Sequence, residues 1–207
     1  MLLAWLPVLT ALLVLGLLYA ECTRNRPLRA VTKTLASVTF VALSASRGAS
    51  KTSFGLAILV GLVLSFVGDV LLLSEKERVF KAGIFAFLLG HVAFTAAFFV
   101  RGVALGPLEG LLVLALLVAG LVLRWLLPHA GNLKGAVILY VVVISVMVPA
   151  AVASSVQSGA YLPATGAIAF YFSDLSVARD RFVKEGFVNR LWGLPLYYFA
   201  QVLLASS

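Results

Sequence analysis

The sequence predicts an all-α fold, a polytopic transmembrane helical bundle of about eight spans, and three observations predict it. Of 207 residues, 62% are hydrophobic and 12% charged, with a mean hydropathy of +1.10; soluble domains carry about 25% charge. The apolar residues run in continuous stretches of about 20, the length at which a helix crosses hydrocarbon with its backbone satisfied. These runs do not alternate, which excludes a transmembrane β-barrel. The connections are too short for a soluble domain, so residues 1–207 read as a single transmembrane domain.

Taken in order, the expected spans are 2–20, 28–46, 53–73, 81–100, 108–127, 134–153, 160–178 and 188–205. The first is too long for a signal-peptide core, lacks a cationic leader and is followed by Arg24 and Arg26 in place of a cleavage site, so it reads as a retained helix. Thirteen of the 16 Lys and Arg residues fall in or beside the connections after spans one, three, five and seven; only Arg47, Lys51 and Arg101 fall elsewhere. Short cytoplasmic loops retain cations, so the odd connections are placed inside and both termini outside. The short loops point to a bacterial cytoplasmic membrane.

The net charge of +8 is scattered through these gaps, with no basic block or aromatic-interleaved patch, so nucleic acid is not expected as a partner. Cys22 is the only cysteine, which excludes an internal disulfide and any multi-thiolate metal site.

Six of the eight acidic residues fall at helix ends or in loops; Asp69 and Asp174 do not. A charge inside hydrocarbon costs about 2.5–3.5 kcal/mol on insertion scales, which makes both functional candidates. Each precedes the expected end of an outside-to-inside span by four residues, about 6 Å of helix, so they share a depth beneath the cytoplasmic face. Lys33 enters from the same side; it either snorkels to the interface or pairs with an aspartate. His91 lies deeper, as a relay or an interhelical hydrogen bond. Ser65 lies one turn from Asp69, Ser173 adjoins Asp174, and Tyr197 and Gln201 share a face of the last span by their i, i+4 spacing; these polars either line one cavity or simply pack.

An internal echo links the two aspartates. Asp69 is followed by Glu77-Arg78-Val79-Phe80-Lys81-Ala82-Gly83 and Asp174 by Asp180-Arg181-Phe182-Val183-Lys184-Glu185-Gly186, with acid, Arg, Lys and Gly at the same relative positions. A parallel four-plus-four repeat would make spans three and seven equivalent and bring the carboxylates toward each other.

With these residues in view, the chain resembles the YhhN/TMEM86 family, the lysoplasmalogenases, over nearly its full length. The resemblance rests on an ordered set: Ser65-x-x-Gly68-Asp69, Gly83-x3-Phe87-x3-His91, Tyr140 to Met147, Gly166-Ala167 leading to Phe172-Ser173-Asp174-Leu175, and Tyr197-Tyr198-x-Ala200-Gln201. Two positions depart from it, Lys33-Thr34 in place of Lys-Pro and Phe94 in place of Tyr.

The resemblance implies a membrane hydrolase that cleaves the vinyl ether of a lysoplasmalogen to a fatty aldehyde and a glycerophospho-alcohol, an ether hydrolase acting on a lysophospholipid within the bilayer. It implies Asp69, Asp174 and His91 as catalytic residues and Lys33, Ser65, Ser173, Tyr140, Tyr197 and Gln201 as substrate-binding residues. Two carboxylates suit the chemistry as acid and as base or cation stabiliser, the division used by glycosidases; which is which is open in the sequence. Lys33 or the loop arginines would meet the substrate phosphate. No metal and no cofactor are expected, although Asp69, His91 and Asp174 could together hold zinc. The alternative is a proton-coupled transporter with the same polar residues as a relay near the midplane, and a structural or lipid-binding role is the third reading.

Overall fold

A computed structural model describes residues 5–207 and contains eight α-helices: α1 (Leu6–Cys22), α2 (Arg26–Ser46), α3 (Ser53–Leu71), α4 (Glu77–Arg101), α5 (Leu105–Leu126), α6 (Lys134–Ser158), α7 (Leu162–Ala178) and α8 (Phe187–Ala205). Residues 2–4 of the expected first span lie outside the described residues. Five helical stretches, Arg26–Ser46, Ser53–Leu71, Glu77–Arg101, Leu105–His129 and Gly131–Ser158, are long and apolar enough to cross a membrane. The helices α1 and α7, with 17 residues each, sit at the lower edge of the spanning range of about 17–25. The chain is an integral membrane protein built as a helical bundle.

The boundaries depart from the sequence expectation where local chemistry extends or shortens a helix. α4 begins at Glu77, not 81, because Glu77 complements the helix N-terminus and pairs with Lys81 at 2.7 Å one turn on. α6 runs to Ser158 and stops at Gly159, which takes the left-handed conformation at φ 72°. α3 ends at Leu71, so Asp69 sits in its last turn. Beyond Ala178 the chain does not leave the helix axis but continues as a π turn over Arg179–Val183, a form that often marks functional sites.

Each helix packs against its sequence neighbours within the pairs α1–α2, α3–α4, α5–α6 and α7–α8. In addition α2 packs on α3 and α6 on α7, while α4 meets α6 and α8 meets α2. The α4–α6 contact has its counterpart in α8–α2, as a parallel four-plus-four arrangement would give, but α8 also packs on α1 with no comparable contact between α4 and α5 among the described residues. Glycines allow the closest approaches: a Cβ on Gly68 would lie 2.6 Å from the Phe87 ring, and Gly193 faces Ser176 across the α7–α8 contact.

The main core gathers Phe40, Leu62, Phe94, Met147 and Phe170 among others, and a smaller one joins Ala119 and Leu126 of α5 to Val137 and Val141 of α6. The outward side chains of α5, among them Val113, Leu114, Leu117 and Leu121, are exposed, the pattern of a helix surface suited to lipid. Between the two cores a cavity remains.

Candidate active site

The cavity, of about 210 Å³, has walls of Leu, Ile, Val, Ala and Phe drawn mainly from α4, α5, α6 and α7. Polar groups enter at two places. Lys33, Asp69, Tyr140, Ser173, Asp174 and Tyr197 line its inner part, and Asp180, Arg181 and Arg190 line its mouth.

Asp69 is the more enclosed carboxylate, its side chain 3% exposed against 16% for Asp174. Lys33 Nζ of α2 lies 3.2 Å from Oδ1. Ser37 Oγ, one turn along the same face, donates to Oδ2 at 2.7 Å, and Tyr197 Oη of α8 donates to that oxygen at 2.6 Å. Tyr198 Oη donates to the Lys33 carbonyl at 3.2 Å, tying α8 to α2 beside the ion pair. All three groups that meet Asp69 are donors, an arrangement that satisfies a carboxylate.

Asp174 is arranged otherwise. Tyr140 Oη of α6 donates to its Oδ2 at 3.0 Å, and His91 Nε2 of α4 lies 3.2 Å from the same oxygen. The histidine contact is close in distance but poorly aligned as a hydrogen bond, and Nε2 has no directed partner among the described residues. His91 Nδ1 lies 2.7 Å from the Phe87 carbonyl oxygen. A carbonyl only accepts, so Nδ1 carries a hydrogen, and Nε2 is the ring atom turned toward Asp174. The His91 ring is packed by Phe170 at 4.5 Å and Tyr140 at 5.2 Å between centroids.

Neither aspartate hydrogen-bonds the other among the described residues; each has its own partners. Asp69 is served by α2 and α8, Asp174 by α6 and α4, so each takes one partner set from the preceding helix and one from the other half of the chain. Tyr197, Phe170 and His91 form a run of ring contacts from one group to the other, with the Phe170–Tyr197 centroids 5.4 Å apart.

The remaining sequence candidates lie differently. Ser173 lines the cavity. Ser65 is fully buried and donates to the Gly61 carbonyl of its own helix at 2.9 Å, away from the cavity lining. Gln201 is fully buried one turn beyond Tyr197, off the cavity, with neither amide atom partnered among the described residues. No three His, Cys, Asp or Glu side chains converge as metal donors among the described residues.

Sequence reasoning missed Ser37, although its i, i+4 relation to Lys33 puts both on one face. It also missed a polar knot at the mouth. Arg190 meets Asp180 at 3.2 Å, Glu21 at 3.0 Å and Glu185 at 3.2 Å. Asp180 also accepts from the Gly186 amide at 2.8 Å and from Asn189 Nδ2 at 3.0 Å, and Arg179 donates to Asn189 Oδ1. Glu21 and Arg190 come from opposite ends of the chain, so no local pattern announces their pairing.

The model of the YhhN family matches residues 28–207, which include every helix that contributes to the cavity. The chain belongs to the YhhN family. Relatives include the lysoplasmalogenase TMEM86A of Bos taurus, 36% identical over 157 residues, and that of Homo sapiens, 33% identical over the same length. Each match covers 72% of this chain and 64% of the relative, so this YhhN chain spans just under two thirds of the curated relatives it matches. No solved structure matches it.

Proposed function

We propose that the protein is an ether hydrolase that cleaves the vinyl ether of lysoplasmalogens, releasing a fatty aldehyde and glycerophosphoethanolamine or glycerophosphocholine. The observation that carries this reading is the placement of two aspartates from α3 and α7, each with a different set of partners, on one apolar cavity. The names of the TMEM86A relatives support it.

In this reading Asp174 is the acid. With Nδ1–H committed to Phe87, contact between Nε2 and the carboxyl is favourable only when one proton lies between them, on the ring or on the carboxyl. His91 and Asp174 together therefore store the proton that the reaction needs, and Tyr140 orients the shared oxygen. Transfer of that proton to the alkene carbon β to the ether oxygen, the one that carries the rest of the chain, leaves an oxocarbenium ion at the carbon bonded to oxygen. Asp69, held as a carboxylate by Lys33, Ser37 and Tyr197, stabilises this cation and accepts a proton from the water that adds to it. The resulting hemiacetal collapses to aldehyde and free glycerol hydroxyl, and the proton gained from water restores the acid. The alkenyl chain occupies the apolar walls beside α5 and α6, with the headgroup at the cytoplasmic mouth of a bacterial cytoplasmic membrane and both termini outside.

No feature favours the transporter reading; α3 and α7 run as continuous helices through their aspartates. The test is incubation of purified protein in detergent with an alkenyl lysolipid, its alkyl ether analogue and its ester analogue. Aldehyde is expected from the alkenyl lipid alone; no turnover of any of the three would overturn the proposal. In ¹⁸O-water the glycerophospho product should carry no label, because water attacks the alkenyl carbon.

A further inference from the structure

Three cations line the cavity: Lys33, Arg181 and Arg190. Two are already neutralised, Lys33 by Asp69 and Arg190 by Asp180, Glu21 and Glu185. Arg181 is not. It makes no ion pair within 4 Å among the described residues, Glu77, the acid near enough to feel its charge, being paired with Lys81; its side chain is exposed, and its guanidinium carbon sits 4.2 Å from the centre of the Phe80 ring. An aromatic seat of this kind holds the cation while leaving its N–H donors without an oxygen acceptor.

Its position relative to the acid is set by the chain. Arg181 follows Asp174 by seven residues, and the π turn over Arg179–Val183 continues α7 without a break. Seven helical residues return to nearly the same face about 10 Å along the axis. Both residues accordingly line one cavity, the carboxyl within and the guanidinium at the mouth. The knot of Asp180, Asn189 and Arg190 fixes the turn that carries Arg181.

We infer that Arg181, seated on Phe80, is the phosphate-binding residue of this site and selects a lysophospholipid over a neutral single-chain ether lipid. The glycerol bridge of such a lipid and the extended arginine side chain together cover the two turns between phosphate and acid. A guanidinium meets a phosphodiester through paired N–H donors, which gives orientation as well as attraction. The inference takes its substrate class from the proposed hydrolysis, but its test does not depend on turnover.

The test is equilibrium binding to the purified full chain of a 1-alkyl lysophosphocholine, whose saturated ether cannot undergo vinyl ether hydrolysis, beside the matching 1-alkyl glycerol. The wild type should bind the phospholipid more tightly. Arg181→Gln should lose about tenfold or more of that affinity with alkyl glycerol binding unchanged, and Arg181→Lys should keep part of the preference. A phospholipid preference that survives Arg181→Gln would overturn the assignment, as would its absence in the wild type. Equal loss of both lipids in Arg181→Gln and Arg181→Lys would make the residue structural, and displacement of the lipid by an equal concentration of inorganic phosphate would assign the arginine to a free anion. A protein that binds as expected but releases no aldehyde would instead count against the hydrolase reading alone.

Discussion

Tyr140 and Tyr197 occupy corresponding posts, each donating to Oδ2 of one aspartate from a neighbouring helix, yet the groups they complete differ in kind. A hydrogen bond to a charged group contributes about 1.5–3 kcal/mol, so removing either hydroxyl should lower kcat by about 10- to 100-fold without unfolding the bundle. Steady-state kinetics of Tyr140→Phe and Tyr197→Phe beside their thermal unfolding would check this. The Lys33–Asp69 pair is expected to matter for stability as well. Removing one partner of a buried ion pair costs about 3–5 kcal/mol because the other charge is left uncompensated. Lys33→Met should therefore lower the unfolding temperature in detergent more than Lys33→Met combined with Asp69→Asn. The two aspartates were legible in the sequence because a carboxylate inside an apolar run is an energetic anomaly that needs no structure to detect. Ser37 was not, because serine inside a helix commonly bonds back to its own turn, and the Lys33 carbonyl, 3.0 Å from Ser37 Oγ, is there as the alternative acceptor for its one hydrogen.

At the scale of the helix, α4 couples packing to chemistry. Phe87 presses its ring against Gly68 of α3 and offers its carbonyl to His91. A larger residue at position 68 must displace that ring, which also packs on Phe170 and Tyr197 beside the two aspartate groups. Gly68→Val is expected to lower both activity and unfolding temperature, whereas Gly120→Ala on α5, where a Cβ meets nothing within 4 Å, should leave activity unchanged and keep or slightly raise the unfolding temperature; parallel kinetic and thermal assays would separate them. Apolar run length identified every helix, since hydrocarbon thickness sets that length. The ends were less legible. Glu77 with Lys81 extends α4 in a loop that looks merely charged, and the π turn after Ala178 depends on tertiary bonds from Asn189 and Arg190 that no local sequence pattern reports.

For the molecule as a whole, the distribution of cations forecasts an orientation and the lone cysteine offers a way to measure it. Cys22 is exposed at the end of α1, beside Arg24 and Arg26. With the odd connections inside, a membrane-impermeant maleimide should label Cys22 in inverted vesicles and not in intact cells; the reverse pattern would invert the orientation. The loop echo that hinted at a repeat has a partial counterpart in how the helices adjoin, the α1–α8 contact having no equivalent between α5 and α4, while the two aspartate groups follow the same exchange, α2 with α8 and α6 with α4. What the echo could not convey is that the groups are unlike, a lysine-held carboxylate on one side and a histidine-backed carboxyl on the other, because that difference lies in partners brought from distant helices. It is also the basis of the separate steps we propose for them. The most direct test of that division is the initial rate of aldehyde release from an alkenyl lysolipid by the wild type, Asp69→Asn and Asp174→Asn, measured side by side in one detergent. Each substitution is predicted to lower the rate by about 10²- to 10⁴-fold with the fold intact; release at near wild-type rate by both variants would contradict it.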